Sequence, residues 1–128
     1  MPNYWYDHIH LISPDPKVAA RFYEKMFDAK TVKTTKFADG RTNIALDING
    51  SRILIVEPRV EAQSAPSETG YGMDHFGIHT DNLEAAVAEL KAKGVKFRDE
   101  IRANSSGMKI SFLWGPDNVL IELLERNG

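Results

Sequence analysis

The chain has 128 residues, of which 42% are hydrophobic and 27% charged, the composition of an ordinary globular domain. Its net charge of -2 and pI near 6.1 argue against nucleic acid or an anionic membrane surface as a partner, because either would call for a basic patch. It contains no cysteine, so any metal must be bound by imidazole and carboxylate groups. With no signal-like start and no apolar run of membrane length, we expect a soluble cytoplasmic protein that acts on small molecules.

The first half of the chain predicts a strand, a helix and three further strands. The opening strand covers 4–12, and the helix that follows has apolar side chains at three- and four-residue spacing, with Ser13 or Asp15 as its cap. The three strands are expected at 30–36, 42–48 and 52–57. The dipeptides Asp39-Gly40 and Asn49-Gly50, which favour hairpin turns, separate them.

The second half repeats this order after a polar segment. Residues 59–72 are predicted to link two modules, 1–58 and 73–128, within a single domain. The second module predicts a strand at 73–80, a helix at 83–93 and strands at 95–102, 109–114 and 119–124. We therefore expect an α+β protein made of two βαβββ modules.

All four histidines lie on the opening strands of these modules. The segment Asp7-His8-Ile9-His10-Leu11 returns as Asp74-His75-Phe76-Gly77-Ile78, so His8 and His75 are equivalent by the repeat. Glu122 lies on an apolar strand, where an ionised carboxylate needs a compensating partner. Two imidazoles and one carboxylate form a facial triad for a divalent transition metal, with the other positions left to water or substrate. The pattern thus predicts His8, His75 and Glu122 as metal ligands.

The two remaining histidines are candidates for catalysis. Side chains alternate along a strand, so His10 shares a face with His8, and His79 shares a face with His75. We expect His10 and His79 beside the metal, where they would contact substrate or move a proton near neutral pH, and Glu122 is counted as catalytic as well. A structural role for the two histidines is equally open. The other two acids at strand ends, Glu57 and Glu125, are expected to be solvated.

Motifs along nearly the whole chain resemble those of the vicinal oxygen chelate superfamily, which includes glyoxalase I, methylmalonyl-CoA epimerase, extradiol dioxygenases, fosfomycin-resistance enzymes and bleomycin-binding proteins. The resemblance implies paired βαβββ modules that form an open barrel-like sheet around a central cleft with a divalent metal, and commonly a homodimer. It also implies the ligand set His8, His75 and Glu122. The motifs are Asp7-His8-Ile9, Arg21-Phe22-Tyr23, 53–58, 74–78, Lys93-Gly94-Val95 and 115–123.

This chain departs from the family pattern at one ligand position. Where glyoxalase I and the epimerases carry Glu or Gln on the first closing strand, this chain has Leu54, or Ile55 if the alignment is shifted by one. The three remaining ligands resemble those of the dioxygenases and fosfomycin-modifying enzymes, in which the free positions accept a bidentate substrate. Imidazole and carboxylate accept iron, manganese, zinc, nickel and cobalt alike, so the metal is left open.

Three functions therefore stay open. The first is a metal-dependent enzyme for a small oxygenated substrate, with glyoxalase- or epimerase-like lyase or isomerase chemistry in which the metal stabilises negative charge on vicinal oxygens. The second is an extradiol dioxygenase or thiol transferase that uses a three-ligand site. The third, from another class, is a metal-free small-molecule binding protein of the bleomycin-resistance type, whose members lack the ligand histidines that this chain retains.

Overall fold

The computed structural model describes Asn3 and residues 6–59, 73–104 and 107–126. The chain divides into two compact units, Met1–Gln63 and Ser64–Gly128. In the described residues, each unit follows the order strand, helix, strands and forms a four-stranded sheet. The predicted α+β class with two βαβββ modules is thereby confirmed. The predicted linker 59–72 lies outside the described residues, except for Arg59.

The sheet of the first unit has the strand order β1-β4-β3-β2, in which β1 runs parallel to β4 and the other pairs are antiparallel. The predicted bounds of β2 and β3 are confirmed, whereas β4 begins one residue earlier than expected. The opening strand is shorter than predicted and begins only at His8. Its elements are β1 (His8–Ile12), α1 (Pro16–Phe27), β2 (Lys30–Lys36), β3 (Thr42–Ile48) and β4 (Ser51–Val56).

Helix α1 begins where the sequence predicts. Asp15 is its N-cap and accepts a hydrogen bond from the backbone N–H of Val18, and Pro16 occupies the first turn, where a missing N–H costs nothing. The helix packs against β2, β3 and β4. Alternate strand residues make the core of this unit, and they are Leu11, Ile44, Leu46, Ile53 and Ile55. The intervening positions, including those of His8 and His10, therefore lie on the opposite face of the sheet.

The second unit repeats this topology with the strand order β5-β8-β7-β6, in which β5 runs parallel to β8. Asn82 caps α2 through a hydrogen bond from the backbone N–H of Ala85. A short 3-10 turn at Pro116–Asn118 joins the last two strands. The elements are β5 (Phe76–His79), α2 (Leu83–Ala92), β6 (Arg102–Ala103), β7 (Lys109–Trp114) and β8 (Leu120–Glu125).

The predicted strand at 95–102 is mostly wrong. Phe97 makes an isolated bridge to Leu113, and only Arg102–Ala103 forms a strand. The physical reason lies at Asp99, whose Oδ1 accepts the backbone N–H of Phe112 at 2.9 Å while its carbonyl accepts the Ser111 hydroxyl at 3.0 Å. Side-chain groups thus replace part of the backbone ladder in this segment.

Candidate metal centre

Two of the three predicted ligands meet in the second unit. His75 Nε2 lies 3.1 Å from Glu122 Oε1, and the Glu122 side chain is 18% exposed. Glu122 projects from β8 between Leu120 and Leu124, both of which belong to a buried apolar cluster. Its carboxylate thus lies beside apolar side chains and faces an imidazole nitrogen.

The chemistry of this pair fits a cation. A deprotonated imidazole nitrogen and a carboxylate oxygen both present lone pairs, so at this separation a proton or a metal ion must lie between them. Two cis ligands bound at right angles with bonds of about 2.1 Å are separated by about 3.0 Å. The observed separation of 3.1 Å is that of a hydrogen bond, and it is also close to the separation of two ligand atoms on one divalent metal.

The orientation of the His75 ring is set from two sides. Asp74 Oδ2 lies 2.7 Å from Nδ1, and the Phe112 ring meets the imidazole edge-on at 5.0 Å between centroids. A carboxylate on the far nitrogen fixes the tautomer of a ligating histidine and directs the other nitrogen to the metal. Sequence reasoning did not assign Asp74 this role, although an aspartate precedes the opening histidine of both modules.

The first unit contains the same pair. Asp7 Oδ2 lies 2.7 Å from His8 Nδ1, and the His8 side chain is 37% exposed. As in His75, the acid occupies Nδ1, so Nε2 is the nitrogen of His8 that could bind a metal. The opening histidines of the two units are therefore equivalent in their hydrogen bonding as well as in sequence.

His10 faces the same side of β1 as His8, with 5.6 Å between the two ring centroids. Its Nε2 lies 2.9 Å from Oδ1 of Asn43, a residue that is only 9% exposed. Asn43 is a further residue that the sequence analysis did not identify, because only its polar side chain distinguishes it within its strand. His79 lies exposed at the end of β5, and its catalytic role stays a prediction.

Strand register decides which residue corresponds to Glu122 in the first unit. Gly77 of β5 pairs with Glu122 of β8, and His10 of β1 pairs with Leu54 of β4. Leu54 is therefore the counterpart of Glu122, and His10 is the counterpart of Gly77. Ile55 is fully buried and, by alternation, faces the other side of the sheet.

Glu57 and Glu125 are partly exposed, and each also accepts a backbone hydrogen bond that the sequence did not predict. Glu57 Oε1 accepts the backbone N–H of Thr42 at 2.6 Å, and Glu125 Oε1 accepts that of Leu83 at 2.8 Å. The hydrogen bond from Thr42 is the main reason that the pKa of Glu57 lies below its ordinary value. Both acids connect a strand end to the start of another element.

Within the described ranges, no three His, Asp or Glu side chains are grouped closely enough to hold a metal ion. None of the helices in these ranges has the length and apolar character that a membrane crossing requires. The structure of the second unit thus presents two ligand-type groups, and the full ligand set rests on the proposal made below.

A family model of the Glyoxalase/Bleomycin resistance protein/Dioxygenase superfamily matches residues 5–123. The chain belongs to this superfamily, as its motifs indicated. It is 29% identical to lactoylglutathione lyase of Schizosaccharomyces pombe over 97% of the chain, and it spans 46% of the length of that protein. It is 26% identical to human mitochondrial methylmalonyl-CoA epimerase over 91% of the chain and 71% of that protein.

Solved structures show the same fold. A glyoxalase family protein from Enterococcus faecalis matches with a TM-score of 0.83 at 16% identity, covering 94% of this chain and 97% of that one. A variant of the fosfomycin resistance protein FosX from Listeria monocytogenes, in complex with Mn(II) and 1S,2S-dihydroxypropylphosphonic acid, matches with a TM-score of 0.74 at 20% identity. It covers 94% of this chain and 90% of that one. The α+β modules described above are those of the glyoxalase fold.

Proposed function

We propose that this protein is a metal-dependent enzyme that carries out lyase or isomerase chemistry on a small oxygenated substrate. The observation that carries the proposal is the His75–Glu122 pair, 3.1 Å apart, with Asp74 on the far nitrogen of the imidazole. His8, held by Asp7 in the same way, is the proposed third ligand. The relatives named lactoylglutathione lyase and methylmalonyl-CoA epimerase support this reaction class, although the chain spans only 46% of the first.

The proposed cofactor is a divalent ion of manganese, iron, cobalt, nickel or zinc, all of which accept imidazole and carboxylate ligands. The Mn(II) named with the structurally similar FosX variant supports this assignment. When bound, the metal would supply electrophilic stabilisation of negative charge on the substrate oxygens. The protein's part is to hold the ligands with Asp7 and Asp74 and to keep the Glu122 carboxylate beside apolar side chains, where electrostatic interactions are stronger than in water.

Proton transfer is assigned to the polar groups around the ligands. His10 on β1 and His79 on β5 are exposed imidazoles, and either would accept or return a proton. Glu122, whose side chain is 18% exposed, is a candidate proton acceptor as well as a ligand. These groups would serve a reaction in which a proton moves next to an oxygen atom whose negative charge the metal stabilises.

Leu54 favours a second candidate. With a hydrocarbon at the place of the fourth ligand, three ligands remain, and this set supports an extradiol dioxygenase or a thiol transferase of the same superfamily. A dioxygenase would require iron and consume oxygen with catechols, whereas a lyase or isomerase would do neither. A metal-free binding protein of the bleomycin-resistance type is the remaining alternative. It gives no reason for a carboxylate on the far nitrogen of each opening histidine.

The proposal extends to assembly and location. Membership of the superfamily supports a homodimer, which light scattering of the purified protein would test. The absence of cysteine from the chain fits a reducing compartment such as the cytoplasm.

Metal content tests the proposed function directly. Protein purified without chelator is expected to contain a divalent metal on elemental analysis, and His75→Ala is expected to lose most of it because one ligand and the partner of Glu122 are gone. His79→Ala is the matched control, since it removes an imidazole from β5, the strand that follows His75, and should keep the metal. Equal metal content in wild type and His75→Ala would contradict the proposal, as would a wild type that binds none of the five metals.

A further inference from the structure

We propose that Arg98 and Arg102 of the second unit form an oxyanion-binding site that determines which substrates the protein accepts. The two guanidinium groups would bind a carboxylate or phosphoryl group of a small substrate. This inference rests on the proposed function, since it names the substrate class of the site already argued. All the residues that carry it belong to the second unit.

Arg98 lies on the row of paired residues that carries Glu122 across the sheet. Its backbone N–H donates to the carbonyl of Phe112 at 2.8 Å, and Phe112 pairs with Glu122. Residues that lie opposite one another on neighbouring antiparallel strands project to the same face of a sheet. His75 reaches this face too, because its Nε2 lies 3.1 Å from Glu122 Oε1. Arg98 thus shares a face with the candidate metal ligands of its unit.

The Phe112 ring contacts both His75 and Arg98. The imidazole of His75 is nearly perpendicular to this ring, with 5.0 Å between the centroids. The Arg98 guanidinium carbon lies over the ring, 4.4 Å from its centroid. The imidazole centre and the guanidinium carbon are therefore no further apart than the sum of these two distances. A small substrate could reach both groups at once.

Arg98 is held in place before any ligand binds. Its cation over the face of Phe112 is attracted by the ring quadrupole, and a terminal nitrogen lies 3.2 Å from Oδ2 of Asp99. Asp99 is fixed in turn, because its Oδ1 accepts the backbone N–H of Phe112 at 2.9 Å. A guanidinium group presents its N–H donors in a planar fork that matches a carboxylate or a phosphate. An arginine ordered in advance loses less entropy when it binds such a group.

Arg102 adds a second guanidinium group to the same face. It pairs with Ile110 of β7, two residues from Phe112, and alternate residues of a strand share a face. Its Nε lies 3.7 Å from Asp99 Oδ2, which is beyond hydrogen-bond distance. The Arg102 side chain is 51% exposed, so its guanidinium group is accessible to a ligand.

The charges of this cluster favour an anion. Asp99 supplies one carboxylate to two guanidinium groups, and its Oδ1 is already engaged by a backbone N–H. Glu122, on the same row as Arg98, pairs with His75. The side chains of Arg98 and Asp99 are only 31% and 26% exposed, and the attraction between charges is stronger at such partly buried positions than in water.

The two ends of a substrate would thus have different partners. Its oxygen atoms would face the His75–Glu122 pair, where the proposed metal binds, and its carboxylate or phosphoryl group would face Arg98 and Arg102. A neutral compound of the same length would gain nothing from the two arginines. Both arginines are therefore specificity residues, and neither takes part in the bond changes.

The binding of simple oxyanions tests the site. Protein as purified, and the same protein after treatment with a chelator, is titrated by calorimetry with glutarate, with inorganic phosphate and with the neutral diamide of glutarate. Glutarate or phosphate is expected to bind in both samples, whereas the diamide should not. The oxyanion with the lower dissociation constant in the chelator-treated sample identifies the group that the arginines prefer.

Two variants assign the binding to the arginines. Arg98→Gln and Arg102→Gln each remove one charge, and each is expected to weaken oxyanion binding about 10- to 100-fold, as the loss of a hydrogen bond to a charged group does. Arg102→Lys keeps the charge without the fork and should recover part of the affinity. Arg21→Gln, the matched control, removes the same charge from an exposed position of α1 and should bind as the wild type does. If Arg98→Gln does not fold, the exposed position of Arg102 still provides the test.

Metal content separates this inference from the proposed function. Arg98→Gln and Arg102→Gln should contain as much metal as the wild type. Equal oxyanion affinities in the wild type and both glutamine variants, or a wild type that binds neither oxyanion, would overturn the arginine site and leave the metal enzyme standing. A wild type that binds an oxyanion through these arginines and contains no metal would overturn the metal enzyme and retain the arginine site.

Discussion

At the scale of single residues, the acid before each opening histidine sets what the imidazole can do. Asp7 and Asp74 each lie 2.7 Å from Nδ1 of the following histidine. Each aspartate directly precedes its histidine in the chain and occupies the nitrogen nearer the backbone. The other nitrogen, Nε2, is thereby directed away from the acid.

Removal of Asp74 should weaken metal binding without removing a ligand. In Asp74→Ala the His75 ring loses the group that fixes its tautomer, and affinity for the metal is expected to fall about 10- to 100-fold. Asp74→Asn, whose side-chain oxygen still accepts a hydrogen bond, should lose less. Chelator competition measures both, and Asp81→Ala, another exposed aspartate of this unit, is the control. Equal affinities for Asp74→Ala and Asp81→Ala would show that Asp74 has no orienting role.

At the scale of elements, carboxylates at strand ends secure the neighbouring elements. Glu57 follows β4 and accepts the first backbone N–H of β3, and Glu125 at the end of β8 accepts the first N–H of α2. The latter also places a negative charge at a helix N-terminus, where the helix dipole favours it.

The contact of Glu57 predicts a pH dependence of stability. Its pKa is lowered in the folded protein, chiefly by the hydrogen bond from Thr42, so its contribution is present above the ordinary value of 4.5 and is lost as pH falls through the lower, folded value. Wild type should therefore melt above Glu57→Gln at pH 7, and the difference should shrink as pH falls below 4.5. Thermal unfolding across this pH range measures it.

Glu100→Gln provides the control for Glu57, because Glu100 is 86% exposed and forms an ion pair with the surface residue Lys91. It should change the melting temperature little at any pH. A difference between wild type and Glu57→Gln that stays constant from pH 7 to low pH would contradict the role assigned to the Thr42 contact.

Much of the element order follows from local pattern. Strands β2, β3 and β7 have the bounds that alternation and turn dipeptides predict, and Asp15 caps α1 as expected. The segment around Asp99 could not be predicted. Part of its backbone pairing is replaced by the contacts of Asp99 with Ser111 and Phe112, and these form only when the folded chain brings β7 beside this segment.

The candidate site was also predictable only in part. The repeat in the sequence identifies His75, and an acid on an apolar strand identifies Glu122, so their approach to 3.1 Å was predictable in kind. The contact of His10 with Asn43 was not, because it joins residues 33 positions apart on strands that are not neighbours in the chain. Strand register was also needed to decide between Leu54 and Ile55.

At the scale of the whole molecule, the proposed metal bears on stability as well as on chemistry. A ligand that binds only the folded state stabilises it in proportion to the logarithm of its concentration over the dissociation constant, about 2.7 kcal/mol at a hundredfold excess. A metal bound at the His75–Glu122 pair would stabilise the folded protein in this way.

Added metal should therefore raise the melting temperature of the wild type, which circular dichroism measures. His75→Ala should show almost no rise, whereas His79→Ala should behave as the wild type. If Mn(II), Zn(II), Co(II), Ni(II) and Fe(II) all left the wild-type melting temperature unchanged, the proposed metal site would be ruled out.

The bare backbone at Gly77 bears on access to the Glu122 carboxylate. A Cβ atom built there would lie 3.4 Å from Leu124 and 3.7 Å from Glu122 Oε1, which are ordinary contact distances. A methyl group would therefore fit, whereas a longer side chain at this position would compete with the carboxylate for the same space. The smallest residue thus leaves the acid open to approach along the opening strand, and the size of the side chain at this single position regulates that approach.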